Sequence, residues 1–225
     1  MNSNTESIVS LEKGVYPSSV DKTLWESPVW IRKTNLSDTF NQELLLELYN
    51  IANNINLNLD PNVGSSLLDY LDTNPRLKEL LLTKERIITE VGNKYLPPTH
   101  TATVSPIASW VNVKEPEEVI EMHGHPDATI ACTYYIKTPD RGGELYYLDT
   151  GKIGEHNTSI KYIKPEVGDL IFFPAYVLHG VNANNGNSLR VSLTTDFNYQ
   201  LTEDSKDKLI LTSWVNSMLK IKDLL

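Results

Sequence analysis

His125, Asp127 and His179 are the side chains of this sequence best suited in type to share one metal ion, and Arg190 follows them as a candidate anion clamp. Two imidazoles and one carboxylate on one face of a divalent ion such as Fe(II) leave three positions open to other ligands. They also keep the ion oxidisable, whereas thiolates would change its electronics. In an extended segment residues i and i+2 point the same way, so His125 and Asp127 can meet the same ion. His179 lies 52 residues beyond Asp127 and must come from a strand beside them in space. Arg190, 11 residues further on, is flanked by Leu189, Val191 and Leu193. A guanidinium in so apolar a strand needs an anionic partner, which it can grip through a charge-assisted, bidentate pair. Ser192 shares its face and can add a hydroxyl hydrogen bond, as can Thr194.

The separate parts carry unequal weight. With five histidines and thirteen aspartates, a His-x-Asp triplet arises by chance with a probability of about 0.3. Capping the turn after Pro126 is the other role open to Asp127. His123 and His125 compete for the first ligand position, and if both bound metal Asp127 would be displaced. We take His125 with Asp127, which leaves His123 beside the ligands or facing the substrate. Tyr134 and Tyr135 alternate across one strand, so one of them packs in the core. Trp110 and Asn112 can line the site, although core packing suits the tryptophan well. His100 and His156 read as hydrogen-bonded structure, and Gly142, Gly143 and Gly168 as turn residues.

The elements that must position these residues fall into two textures. Up to about residue 100 the pattern is mainly helical. Leu44, Leu45, Leu48 and Ile51 recur at helical spacing behind Ser37 and Asp38 as caps. Asn74-Pro75 reads as a cap followed by proline at the first helical position, before Leu77, Leu80, Leu81, Ile87, Ile88 and Val91. Residues 27–32 read as an edge strand. From about residue 100 come short β-branched and aromatic runs at 101–104, 107–113, 129–137, 144–148, 159–163, 169–173 and 189–197, punctuated by Gly, Pro, Asn and Asp. Seven or more such strands predict a sandwich or barrel with the helices packed on one face. Leu209, Trp214, Val215 and Leu219 predict a closing helix over the last residues.

Composition narrows the function. The 225 residues fit one domain, 1–225, and the 40% hydrophobic and 22% charged fractions are those of a globular chain. Twenty basic against 29 acidic side chains, net −9, with no basic run, argue against general nucleic-acid or anionic-membrane binding. The single cysteine, Cys132, excludes a disulfide framework and a cysteine-based zinc site. No apolar run is long enough to span a bilayer, and Met1-Asn-Ser-Asn-Thr-Glu-Ser lacks the features of a signal peptide, so the expected location is the cytoplasm.

The ordered set His125-Pro-Asp127, Gly142-Gly-Glu-Leu145, Gly168-Asp-Leu-Ile-Phe-Phe-Pro174, His179-Gly-Val181 and Arg190-Val-Ser192 resembles the Fe(II)/2-oxoglutarate-dependent dioxygenase superfamily. Cys132-Thr-Tyr-Tyr-Ile136 is similar to the corresponding strand of prolyl-hydroxylase-like members. Trp110-Val-Asn112 followed by His123-Gly-His125-Pro resembles a branch carried by phages and marine bacteria, which would make the location a host's cytoplasm. The likeness covers about residues 105–198. It implies a double-stranded β-helix, a jelly-roll barrel of mostly β structure supported by the N-terminal helices. It also implies Fe(II) held by His125, Asp127 and His179, and 2-oxoglutarate held by Arg190 with Tyr135 and Ser192.

The implied reaction is hydroxylation of a peptidyl residue (prolyl-like) or a small metabolite by O2, with release of succinate and CO2 and with ascorbate as an optional auxiliary. A carboxylate at position 127, where a small residue would admit halide, favours hydroxylation over halogenation. The competing reading is a non-catalytic, cupin-like module that binds metal or a small ligand. A homodimer is left open by the sequence.

Overall fold

The computed structural model describes residues 28–54, 66–94, 102–149 and 159–201. Strand β1 (Trp30–Lys33) leads into helix α1 (Asp38–Asn54). A single 3-10 turn (Leu67–Tyr70) and helix α2 (Pro75–Lys94) precede eight further strands. These are β2 (Ala102–Lys114), β3 (Ile120–His123), β4 (Ile130–Lys137), β5 (Leu145–Asp149), β6 (Ser159–Ile163), β7 (Asp169–Pro174), β8 (His179–Val181) and β9 (Arg190–Leu201). The strands form a five-stranded sheet in the order β1-β7-β4-β9-β2 and a four-stranded sheet in the order β3-β8-β5-β6, with every pairing antiparallel. This is the double-stranded β-helix that the resemblance implies, within the sandwich or barrel class that the strand texture predicts, with the helices against the larger sheet.

Two hydrophobic layers share the larger sheet. On one face Phe40, Leu44, Leu80 and Ile88 of the helices pack with Cys132, Tyr134, Leu170, Phe172, Leu193 and Phe197. On the other face Ala131, Tyr135, Ile171 and Phe173 meet Leu145, Tyr147, Ile163 and Val181 of the smaller sheet. A strand covered on both sides has no polar face to show, which is why β4 and β7 read as continuous apolar runs rather than alternating ones. The fully buried Lys84 of α2 is the exception in the outer layer. Its ammonium donates to the Leu193 carbonyl and to Thr195 Oγ1, each at 2.8 Å. Burial among neutral acceptors pushes its pKa down to about 8.

Within the described residues the sequence-based elements survive with two changes. The two runs at 101–104 and 107–113 are one long strand, β2, whose register against β9 slips between Pro106 and Ala108. A proline cannot donate to a ladder, and a bulge accommodates it. Two short strands, β3 and β8, had no signal of their own and are the ones that carry histidines. The closing helix expected over the last residues, and the readings of His100 and His156, lie outside the described residues. Gly142, Gly143 and Gly168 all have φ near +70 to +84°, in keeping with turn residues.

Helix starts are capped as the chemistry requires. Ser37 Oγ accepts from the Phe40 amide at 3.1 Å, ahead of α1. At α2 the Asn74 side chain instead donates to the Tyr70 carbonyl. The free amides of Arg76 and Leu77 are taken by the two oxygens of Glu47, at 3.0 and 2.9 Å. A carboxylate from α1 therefore caps the positive end of α2 and fixes the two helices to each other. We predict that Glu47→Ala lowers unfolding stability by about 1–2 kcal/mol, read as a lower urea midpoint, with Glu47→Gln recovering part of it.

Candidate active site

The turn that follows β3 determines which side chains meet. His123 ends β3 and pairs with His179 at the start of β8. His125 lies two residues on, its amide donating to the Ala175 carbonyl at 3.0 Å. The chain then turns at Pro126 and Asp127, and the Ala128 amide returns to the His125 carbonyl at 3.2 Å. The extended geometry that would aim residues i and i+2 together therefore holds for His123 and His125 and breaks before Asp127. His123, His125 and His179 each offer a ligand nitrogen, and these atoms lie within 4.8 Å of one another. Asp127, expected among the metal ligands, is exposed and stands outside this group. His123, expected beside the ligands, is inside the group.

The backs of the three rings are all held by acceptors. His123 Nδ1 lies 2.8 Å from the Glu121 carbonyl, and His179 Nδ1 lies 2.9 Å from that of Val177. His125 Nδ1 faces the carboxylate of Asp196, at 2.9 Å from Oδ1 and 3.0 Å from Oδ2, the second with hydrogen-bond geometry. A carbonyl or carboxylate can only accept, so each Nδ1 carries the proton and each Nε2 presents a bare lone pair. His125 Nε2 and His179 Nε2 are 3.3 Å apart. Two nitrogens bound to one ion at about 2.1 Å lie roughly 3.0–3.4 Å apart in octahedral or tetrahedral geometry. Lone pairs facing each other at that spacing call for a shared cation, so the donor set fits a metal ion.

The surroundings fix the rings and keep that of His179 neutral. Burial, together with the neighbouring His123 and His125, pushes the His179 pKa down to about 4 against the opposing bond to Val177. Trp110 stacks on His125 at 5.8 Å between centroids, and Phe173 meets His179 edge-on at 4.6 Å. Gly180 is needed beside His179, since a Cβ there would lie 2.7 Å from the Ile120 carbonyl of β3.

Strand β9 supplies the rest of the wall. Arg190, Ser192, Thr194 and Asp196 are buried and share its inner face. Tyr135 of β4 and Asn112 of β2 lie on either side of Ser192, and Thr133 and Trp110 on either side of Thr194. Thr194 Oγ1 is 3.0 Å from Thr133 Oγ1 and accepts from Asn112 Nδ2 at 3.2 Å. The Arg190 guanidinium lies 5.0 Å from the centre of the Tyr135 ring and donates to Ser192 Oγ at 3.2 Å. Its Nε and the Tyr135 hydroxyl are both buried without a hydrogen-bond partner. Arg190 makes no ion pair among the described residues. The histidines, Arg190, Tyr135, Asn112 and Ser192 all line one narrow cavity of about 50 Å³ between the sheets.

The structure thus brings together His125, His179, Arg190, Tyr135, Ser192, His123 and Asn112, and leaves out Asp127. Tyr135 points inward, while the Tyr134 hydroxyl donates outward to Asn41 at 2.7 Å. Asp196 was missed by sequence reasoning. The signal lay in extending the face of Arg190, Ser192 and Thr194 by one more step of two.

Residues 108–196 match the family described as "Putative 2OG-Fe(II) oxygenase", in keeping with the superfamily that the motifs resemble. Enzymes of this family use Fe(II), 2-oxoglutarate and O2.

The fold is similar to that of a Pseudomonas putida prolyl-4-hydroxylase, at 15% identity and TM-score 0.51, covering 76% of this chain and 88% of that one. It is similar to a non-haem α-ketoglutarate-dependent carbocyclase from nogalamycin biosynthesis, at 13% identity and TM-score 0.57, covering 76% and 79%. A third similar fold is that of a Trichoplax adhaerens prolyl hydroxylase in complex with a hypoxia-inducible-factor peptide, at 16% identity and TM-score 0.54, covering 75% and 82%. No curated protein is similar enough in sequence to count as a match. Among the described residues no helix is long and apolar enough to cross a membrane.

The His179 shift has a pH signature. Between about pH 4 and 6.5 the unfolded chain binds a proton that the folded metal-free protein refuses, so stability rises with pH across that window and is lost on acidification. We predict that urea midpoints of the metal-free protein fall between pH 6.5 and 4, by an amount of the order of 3 kcal/mol, and that His179→Gln flattens this part of the profile.

Proposed function

We propose that the chain hydroxylates a C–H bond of a peptidyl residue (prolyl-like) or a small metabolite, with Fe(II) held by Nε2 of His123, His125 and His179. The observation that carries this reading is the buried, unpaired guanidinium of Arg190 in the same cavity as three bare imidazole nitrogens. A cation buried without a counter-ion is costly unless a ligand supplies the anion. In the ligand-bound enzyme that anion is the distal carboxylate of 2-oxoglutarate, gripped by Arg190 and hydrogen-bonded by Tyr135 and Ser192. Bound iron supplies oxidation by O2 coupled to decarboxylation of 2-oxoglutarate to succinate and CO2.

The protein's own contribution is positional. Arg190 sets how far the diacid enters, the three acceptors behind the histidines fix which nitrogen faces it, and the two sheets exclude water from the gap. Trp110, Asn112 and Thr194 line the same cavity and would border the substrate. His123 fills the place expected of Asp127, so the centre keeps three side-chain ligands and the argument against halogenation passes to it. The peptide and metabolite options are both supported by likeness, since the similar folds include two prolyl hydroxylases and a carbocyclase.

The test is succinate formation from 2-oxoglutarate under air with Fe(II), with peptides and metabolites screened by mass for a gain of one oxygen. His179→Ala is expected to abolish succinate formation, and Asp127→Ala to retain it. Arg190→Met is expected to weaken 2-oxoglutarate binding at least 10²-fold while leaving the ligand-free protein as stable or more so. Unchanged 2-oxoglutarate affinity in Arg190→Met would overturn the co-substrate assignment.

A further inference from the structure

We infer that Asp196 is a positioning residue that delivers a negative charge to the metal through the imidazole of His125. This rests on the three-histidine centre proposed above and adds to it the carboxylate that the ligand set lacks. Three neutral imidazoles bring no charge to a divalent ion, so compensation must come from elsewhere. Asp196 is buried on the inner face of β9, and its Oδ2 accepts from His125 Nδ1. Its Oδ1 lies 2.9 Å from the same nitrogen and has no hydrogen-bond partner of its own. Both of its oxygens are thus directed at one N–H.

The strand is built to allow this. Asp196 is flanked across the sheet by Ala131 of β4 and Ala108 of β2, side chains short enough to leave room for an imidazole over them. Trp110, two residues beyond Ala108, stacks on the ring. His123 and His179 have only backbone carbonyls behind them, so His125 alone of the three is backed by a full charge. A carboxylate behind a ligating histidine makes the ring a stronger donor and fixes its orientation. In this centre the acidic group acts from the larger sheet, one imidazole away from the ion, rather than from the turn that holds His125.

The experiment compares wild type with Asp196→Asn, whose amide oxygen can still accept from Nδ1 but carries no charge. Co(II) affinity is expected to fall 10- to 100-fold in the variant, with displaced Co(II) d–d bands. The Fe(III)/Fe(II) potential is expected to rise, because a nearby negative charge favours the ferric ion. Independently of that variant, wild type loaded with Zn(II) is expected to show the His125 Nδ1 proton well downfield of those of His123 and His179. Wild-type affinity and potential in Asp196→Asn, or a His125 proton no further downfield than the other two, would overturn the inference and leave the three-histidine centre standing. Failure of the wild-type protein to bind Co(II) would overturn the centre itself, and the inference with it.

Discussion

The acceptors behind the three imidazoles are what the site depends on. A histidine can offer either nitrogen to a ligand, and only the partner of the other nitrogen decides which. Here the backbone carbonyls of Glu121 and Val177 and the carboxylate of Asp196 each take an Nδ1 proton, so the Nε2 lone pairs of three clustered rings are left for a ligand. Two of these acceptors lie in the chain beside their own histidine. The third crosses from one sheet to the other: His125 follows β3 of the smaller sheet and Asp196 belongs to the larger. That contact ties the two halves of the β-helix together at the place where the chemistry sits.

The opposite end of the same strand carries an unmet electrostatic demand. Arg190 is buried with one unsatisfied nitrogen, near an equally unsatisfied tyrosine hydroxyl. A core assembled for stability alone would hold an apolar side chain there. Strand β9 thus runs from a cation without a counter-ion to an anion behind the imidazole of His125, with hydroxyl groups between. The helices contribute to this indirectly. Lys84 reaches through the outer layer to the Leu193 carbonyl and Thr195 Oγ1, and so holds the outer face of the same strand against α2.

Much of this was readable in the residues. Arg190, Ser192 and Thr194 alternate with Val191, Leu193 and Thr195, and a period of two puts them on one face whatever the rest of the fold does. His179 could be placed beside His125 only through the resemblance, because a 52-residue separation has no local geometry. Asp127 stands apart from the imidazoles for a local reason. Alternation does not carry through Pro126, where the chain turns, and His123 is the residue that joins His125 and His179. The strands bearing His123 and His179 are four and three residues long, too short for a periodic pattern to register. Asp196 went unread because an acid in a strand looks like a surface residue until the strand is known to face a cavity.

The irregularity at Pro106 has a consequence for how β2 can vary. Ahead of it, Val104 faces the helices; beyond it, Trp110 and Asn112 face the cavity, although all three positions are even-numbered. One extra residue, Ile107, thus shifts the count without disturbing the alternation of the paired residues. Loss of Ile107 would set Pro106 directly before Ala108, whose partners Phe197 and Asp196 are already adjacent, so the ladder would close with Trp110 and Asn112 still on the cavity side. Length between Pro106 and Ala108 can therefore change by that one residue without changing which side chains of β2 line the cavity.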